Sequence, residues 1–385
     1  MFDALYASPE VHAATDPTAW VQAMLDVEAA LARAGAATGR VPAEAAAAIV
    51  ERCRVESFDV SAIGTAAVAS ATPVIALLEQ LRAAVPAAAR GYVHLGATSQ
   101  DVVDTAMMLV SRRALRPVLA DLSGVAERLA ELAQAHRRTV QIGRTLLRQA
   151  APTTFGAVAA GWLVAVDEAA HRLATVDRQR LAVQYGGPVG TLADLGTDAP
   201  AMLAALAADL DLAEPVVPWH TDRGRVGELA AALGGAAGAL GTVALAVALL
   251  SQDELGELAE EAGGSSSAMP HKRNPAAAVL VTACAHRAPG LVATLLAGAP
   301  QELQRAAGRW QAEWGTLTDL LRVVGGAASH ARRMLSGLRV HADRMQVNLE
   351  LADESVRAAG PGYADGFVDR ALAAHRAVRD EAAAR

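Results

Sequence analysis

One segment, Gly263-Gly264-Ser265-Ser266-Ser267-Ala268-Met269-Pro270-His271-Lys272-Arg273-Asn274-Pro275, gathers three hydroxyls, an imidazole, an ammonium and an amide between paired glycines and a terminal proline. Small residues at its start permit movement, and Pro270 and Pro275 restrict its turns. A loop of this kind closes over a ligand and excludes water. Hydroxyls beside an imidazole, an ammonium and an amide make it the candidate reactive segment of the chain. Composition points to the same place. Lys272 is the only lysine in the chain, all other positions of that kind being arginine. A compact ammonium is therefore expected to be required there, where a planar guanidinium would not fit.

The elements that must carry this loop are helical. Apolar residues make up 53% of the sequence and aromatics 3%, a bias towards Ala, Leu and Val that suits helix packing. The 385 residues are too many for one small core, so several packed regions are expected. Helices are read over 17–38 and 42–54, with Pro42 in a first turn. Leu115, Leu119, Leu122, Val125, Leu129 and Leu132 mark one face of a helix over about 113–137. Further helices are read over 152–182, 224–260, 275–298 and 303–338, with Gly186 to Pro200 as the main irregular connection and no strand-period region. The regions are then 1–90, an N-terminal helical part; 91–338, a central long-helix bundle; and 339–385, a short C-terminal part.

Leu229 to Leu250 carries no charge and is long enough to cross a bilayer, with Gly234 and Gly238 at a close-packing spacing. Its flanks, Glu228 before and Asp253 and Glu254 after, lack aromatic or basic anchors, and a helix buried all round in a bundle is expected. A net charge of −7 gives no footprint for nucleic acid, and no Lys/Arg cluster suggests a membrane surface. The N-terminus shows no secretion signal. Cys53 and Cys284 stand far apart, as reduced thiols do in the cytoplasm, and the histidines show no zinc spacing. No metal or cofactor is expected.

Two more blocks stand upstream: His94-Leu95-Gly96-Ala97-Thr98-Ser99-Gln100-Asp101 and Gly143-Arg144-Thr145-Leu146-Leu147-Arg148-Gln149-Ala150. With the Ser/Met-Pro/Lys/Asn-Pro loop, in this order, they resemble the fumarase/aspartase superfamily over nearly the whole chain. The resemblance implies an all-α fold: a long-helix bundle of that type with small N-terminal and shortened C-terminal helical regions. It also implies a homotetramer whose sites combine blocks from different chains. Ser266 aligns with the superfamily's base, which takes a proton from the carbon next to a substrate carboxylate; Ser267 is the fallback, because three serines stand where two are usual and Met269 is the anchor for the count. The resemblance gives Lys272 and Asn274 the part of neutralising the charge that develops on the substrate. A free serine hydroxyl is a very weak base, so the oxyanion needs backbone N–H groups, the ammonium or a helix N-terminus in a dry site. Thr98 and Ser99 resemble the pair that holds a substrate carboxylate, although Thr-Ser-Gln-Asp is equally a helix N-cap. His94 is a substrate contact, a loop-orienting group or a structural histidine. Arg144, Thr145 and His271 are carried over as substrate contacts. Arg148 and Arg305 are candidates for extra substrate carboxylates, the alternative for each being a structural ion pair.

One departure narrows the substrate. Fumarases, argininosuccinate lyases and adenylosuccinate lyases usually carry His where this chain has Leu146, which cannot donate a proton. A positioned acid contributes about 10²–10⁴ in rate when the leaving group needs it. Opening a lactone expels a carboxylate, whose conjugate acid has a pKa near about 4, so little help is needed. The chain accordingly resembles the bacterial 3-carboxy-cis,cis-muconate cycloisomerases, which also lack that histidine. Thr153-Thr154-Phe155-Gly156, Gln184-Tyr185-Gly186-Gly187-Pro188-Val189-Gly190-Thr191, Pro218-Trp219-His220-Thr221 and Trp310-Gln311-Ala312-Glu313-Trp314 agree with that subfamily, while Trp310 and Trp314, one turn apart, read alone as core. The alternatives are adenylosuccinate lyase, another β-eliminating lyase on a dicarboxylate, and a non-catalytic structural paralogue.

Overall fold

The computed structural model describes residues 2–261 and 263–383. Its long helices are α1 (Pro17–Ala37), α2 (Ser99–Ala135), α3 (Phe155–Gln179), α4 (Gly224–Leu250), α5 (Ala276–Ala297), α6 (Arg309–Ser336) and α7 (Ala364–Ala383). Helix α2 packs on α3 and α6, α4 on α3, α5 and α6, and α5 on α6; α1 covers α2, and α7 lies on α3 and α2. The fold is an all-α bundle. One hydrophobic cluster runs through it from Val11 to Leu372 and includes Leu115, Leu122, Val125, Leu129 and Leu132, with Leu119 partly buried against it.

The readings over 17–38, 42–54 and 275–298 agree with the observed helices to within two residues at each end, and Pro42 is an N-cap. The others need correction. Helix α2 starts at Ser99, not 113, because from Gln100 to Ser111 every residue is buried and no amphipathic period exists to be read. The helix expected from 152 starts at Phe155, where Thr154 Oγ1 accepts from the Ala157 N–H at 3.1 Å. The reading over 224–260 overruns α4, which stops at Leu250, and α6 begins at Arg309 after Gly308, whose φ of 103° only glycine adopts readily.

Strands are present where none was expected. β1 (Val140–Thr145) and β2 (Arg148–Thr154) form a hairpin between α2 and α3. A register shift between Ile142 and Arg144 breaks the alternation that would have signalled it. β3 (Leu258–Glu260) pairs with β6 (Leu338–Val340), and β4 (Gly264–Ser265) with β5 (Arg273–Asn274). Gly156 shows why the α2–α3 turn is so tight: a Cβ there would lie 2.5 Å from the Arg137 Cα and 2.6 Å from the Ala133 carbonyl oxygen.

Within the chain 39% of the most apolar stretch of α4 is buried, and 22% of that of α5. Both helices are long and apolar enough to cross a membrane. Leu245 and Val279 are more than half exposed on them.

Candidate active site

At the N-terminus of α2 the chain is pinned by buried charge. The Asp101 carboxylate accepts from the backbone N–H groups of Thr98 (2.9 Å), Gly186 (3.0 Å) and Gly187 (2.9 Å), and lies 2.7 Å from His220 Nε2. It thereby ties together the segments around 94–101, 184–188 and 218–220. Two glycines allow the approach: a Cβ on Gly96 would meet Tyr185 Oη at 2.9 Å, and one on Gly187 would meet the Gly96 oxygen at 3.0 Å. Tyr185 Oη donates to the Leu95 carbonyl at 2.8 Å. Burial, with the nearby Asp101 and Glu28 carboxylates, pushes that phenol well above its usual range, so it stays a donor.

One turn further along α2, Asp104 accepts from Arg223 Nη1 and Nη2 (2.8 and 3.0 Å) and Trp310 Nε1 (2.9 Å). Arg223 is also held by Glu313. Burial opposes the guanidinium's charge, yet Asp104 and Glu313 outweigh it and hold Arg223 protonated above its ordinary range. Burial pushes Glu313 upward, against the pull of Arg223.

On this frame stand four of the residues expected from sequence. Thr98 is the N-cap of α2, so the capping reading holds, and its Oγ1 accepts from Arg305 Nη1 at 2.8 Å. Arg305 Nη2 donates to the Pro188 carbonyl at 3.0 Å and makes no ion pair among the described residues. Thr98 and Ser99 are half-buried at the positive end of a 37-residue helix, where an anion is favoured. His94, at a φ of 67°, has its Nδ1 2.6 Å from Glu28 Oε1, a carboxylate buried in α1. A hydrogen bond at one ring nitrogen fixes the imidazole and leaves the other free.

The other expected residues lie at the opposite end. The second block is the β1–β2 hairpin, with Leu146 and Leu147 at its tip, both at positive φ (50° and 61°) and 96% and 80% exposed. Arg144 is engaged: it makes a two-pronged pair with Glu257 at 2.7 and 3.0 Å, and Asn348 Nδ2 donates to the same carboxylate at 2.7 Å. Thr145 is exposed, and Arg148 shares with Arg144 an open polar cleft of about 540 Å³.

The Ser-rich loop adjoins this end. Its neck is the β4–β5 ladder, and Glu260 anchors α5 beneath it by accepting from the Ala277 and Ala278 N–H groups at 3.0 and 2.8 Å. Ser266 Oγ accepts from the N–H groups of Ala268 (3.3 Å) and Met269 (3.1 Å). Two backbone dipoles thus converge on one hydroxyl oxygen, the arrangement that stabilises an oxyanion. Ser267, His271 and Lys272 are exposed, and the Lys272 ammonium makes no hydrogen bond or ion pair among the described residues; Asn274 is half-buried in β5.

The distance between the ends follows from α4. Arg223, its preceding residue, touches Asp104, while Glu257, just beyond its last turn, touches Arg144. Its 27 residues at 1.5 Å each separate the two by roughly 40 Å. Thr98, Ser99, His94 and Arg305 therefore lie at one end of α4, and Arg144, Thr145, Arg148, Ser266, Ser267, His271, Lys272 and Asn274 at the other, so the two groups are not brought to each other within one chain.

Sequence reasoning gave no positioning role to Glu28, Asp101, Asp104, His220, Arg223, Glu257 and Glu313, although Asp101, His220 and Glu313 stand in the blocks quoted above. A signal existed for two of them. Asp101 directly precedes a mainly apolar run from Val102 to Val110 and Asp104 interrupts it, and carboxylates so placed must be partnered.

Residues 6–290 match a protein-family model described as Lyase. The chain is 47% identical to a 3-carboxy-cis,cis-muconate cycloisomerase of Pseudomonas aeruginosa, over 91% of this chain and 78% of that protein. It is 45% identical to a nitrosuccinate lyase of Streptomyces davaonensis, over 90% and 76%. The crystal structure of a 3-carboxy-cis,cis-muconate lactonizing enzyme from Pseudomonas putida superposes with a TM-score of 0.90 at 37% identity, covering 98% of this chain and 99% of that one. Helical architecture, the three sequence blocks and these matches agree that the chain belongs to the lyase family of the fumarase/aspartase superfamily.

Proposed function

We propose that this chain is a cycloisomerase interconverting 3-carboxy-cis,cis-muconate and its carboxymuconolactone, in the protocatechuate branch of aromatic catabolism, with Ser266 as base. The observation that carries the reading is the turn in which Ala268 and Met269 donate to Ser266 Oγ. In ring opening, the Ser266 oxyanion takes the proton from the carbon next to a substrate carboxylate. The electron pair spreads into that carboxylate, where Lys272 and Asn274 meet the added charge. It then forms the carbon–carbon double bond as the ring C–O bond breaks, and the leaving carboxylate departs as an anion. Leu146 supplies no proton, and this leaving group needs none. Thr98 and Ser99 hold a substrate carboxylate, Arg305 reaches a further one, and His94 lines the same end. Ser267, Arg144, Thr145, Arg148 and His271 shape the loop end. No metal or cofactor takes part.

A site of this kind needs both ends, which lie roughly 40 Å apart along α4. The half-covered apolar faces of α4 and α5 supply the means: packed against the same helices of other copies, they bring the loop end of one chain to the Thr98 end of another. The assembly is a homotetramer with composite sites, working in the cytoplasm, and its central bundle spans 91–338 between the 1–90 and 339–385 regions.

A second reading is favoured by the nitrosuccinate lyase at 45% identity. Nitrite is also a good leaving group, so Leu146 is compatible with β-elimination from a nitro dicarboxylate. Parallel assays separate the two. Consumption of 3-carboxy-cis,cis-muconate, followed by its ultraviolet absorbance, with slower release of nitrite from nitrosuccinate, is expected, and adenylosuccinate should be inert. Faster nitrite release would transfer the assignment to the second reading. No turnover of any of the three would overturn the cycloisomerase reading and leave another β-eliminating lyase on a dicarboxylate or a structural paralogue.

A further inference from the structure

Residues 298–308, between α5 and α6, form no helix or named strand, and they carry Arg305. Glu302, Leu303 and Gln304 are exposed, while Gln301 and Arg305 on either side of them are half-buried. Backbone without its own hydrogen-bond ladder takes its course from its anchors. Pro300 bridges to Asp222, and Thr221 Oγ1 donates to the Leu303 carbonyl at 3.1 Å. A third anchor is a side chain: Gln301 Nε2 donates to Glu313 Oε1 at 2.9 Å. That bond closes a ring. Glu313 accepts from Arg223, Arg223 donates to Asp104 on α2, and α2 begins at Thr98, whose Oγ1 accepts from Arg305 Nη1. Thr98 and Arg305 are thus joined twice, once directly and once through the ion triad and Gln301. The direct bond ends on a neutral hydroxyl in a half-buried place and is a weak constraint alone. The other route runs through Asp104, Arg223 and Glu313, none more than 2% exposed.

We propose that Gln301 is a positioning residue for substrate binding: through Glu313 it fixes the 298–308 segment so that the Arg305 guanidinium stays beside Thr98, where a substrate carboxylate meets both. This rests on the reading of Arg305 and Thr98 as substrate contacts. A carboxylate paired with Arg223 only accepts, so the Gln301 amide turns its nitrogen to Glu313, and Oε1 is left buried with no partner among the described residues. An amide with one end unsatisfied adds little to stability, so its value lies in where it holds the chain. Without it the segment takes other courses, and Arg305 has to be ordered as substrate binds. That cost falls on KM and spares kcat. The triad itself persists, because Arg223 still joins Asp104 to Glu313.

The test is made on Gln301→Met, in which the side chain keeps its length and loses both amide groups, so the fold and the urea midpoint should stay near those of the parent. Kinetics are read with whichever of 3-carboxy-cis,cis-muconate and nitrosuccinate the parent consumes faster. KM should rise about three- to tenfold, with kcat within about twofold of the parent. Added to Arg305→Met, the same change should raise KM no further, because the residue it serves is gone. Hydrogen exchange over residues 298–308, measured without substrate, should be faster in Gln301→Met than in the parent. Unchanged exchange there overturns the proposal whatever the substrate is. An equal rise in KM with and without Arg305, or no rise in Gln301→Met while Arg305→Met shows one, overturns it and leaves Arg305 a substrate contact. An Arg305→Met variant with the parent's KM removes Arg305 from the site, and this proposal with it.

Discussion

At the Thr98 end of the bundle, Glu28, Asp101, Asp104 and Glu313 are buried and each has a cationic or N–H partner, so the backbone there is fixed from several directions. At the loop end, Ser266 to Lys272 hang from a two-pair ladder, and Ser267, His271 and Lys272 stand in solvent. The contrast assigns different duties. The fixed end can hold carboxylates in a set geometry before the substrate arrives, which is the basis of preorganised catalysis. In the proposed mechanism the loop end moves, and its closure brings Ser266 and Lys272 to a dry site. In the proposed assembly the two ends, separated by the length of α4, meet between chains.

Substitutions should therefore divide into those that abolish chemistry without touching the fold and those that do the reverse. The largest catalytic loss is expected for Ser266→Ala, on the order of 10³-fold in kcat or more, with helical circular dichroism and subunit number unchanged. Ser267→Ala should stay within about tenfold of the parent; the opposite ranking would move the base to Ser267 and leave the Ala268/Met269 turn without purpose. At the other end, Arg223→Met leaves the Asp104 and Glu313 carboxylates buried together. A loss of about 3–5 kcal/mol in stability is expected, read as a lower unfolding midpoint in urea. Lys272→Met should leave that midpoint where it was while cutting kcat about 10²-fold, and equal destabilisation by both changes would erase the contrast.

Arg305→Met should act between these extremes, raising KM about 10–100-fold as one charged contact to substrate is lost, with a smaller change in kcat. A kcat defect with unaltered KM would make Arg305 a support for Thr98 alone. The smallest effect concerns pH. Burial lowers the imidazoles of His136 and His330 below their usual range. The unfolded chain then binds more protons than the folded one between the lowered values and about 6.5. Stability should decline as pH falls through that window and be flat above it for these groups. Urea midpoints at pH 7.5 and 5.5 measure this, and replacing both residues by Gln should flatten the difference.

The bundle was legible because α1, α5 and the second half of α2 are amphipathic or bounded by Pro and Gly, signals that sequence carries directly. The first part of α2 was not, since burial on all sides removes the period from Gln100 to Ser111. The β1–β2 hairpin was hidden by its bulge and by its Leu146-Leu147 tip, where Asn-Gly would be the recognisable turn. Among site residues, the loop announced itself by crowding nucleophilic and charged groups around the single lysine. Arg144 was carried over as a substrate contact, yet its partner Glu257 is over a hundred positions away and nothing local discloses the pair. Glu28 with His94 and Arg223 with Asp104 are of the same kind: long-range buried contacts that only folding creates.

The most direct measurement is a complementation assay on two inactive variants, Ser266→Ala and Thr98→Val, with 3-carboxy-cis,cis-muconate as substrate. Each is assayed alone, and then the two are dissociated together, mixed in equal amounts and reassembled. With the base and the carboxylate clamp supplied by different chains, about a quarter of the sites in the mixture recover both intact halves and activity returns towards that level. Reassembly to the native subunit number with no activity above the separate variants would place both halves of the site in one chain and contradict the composite arrangement.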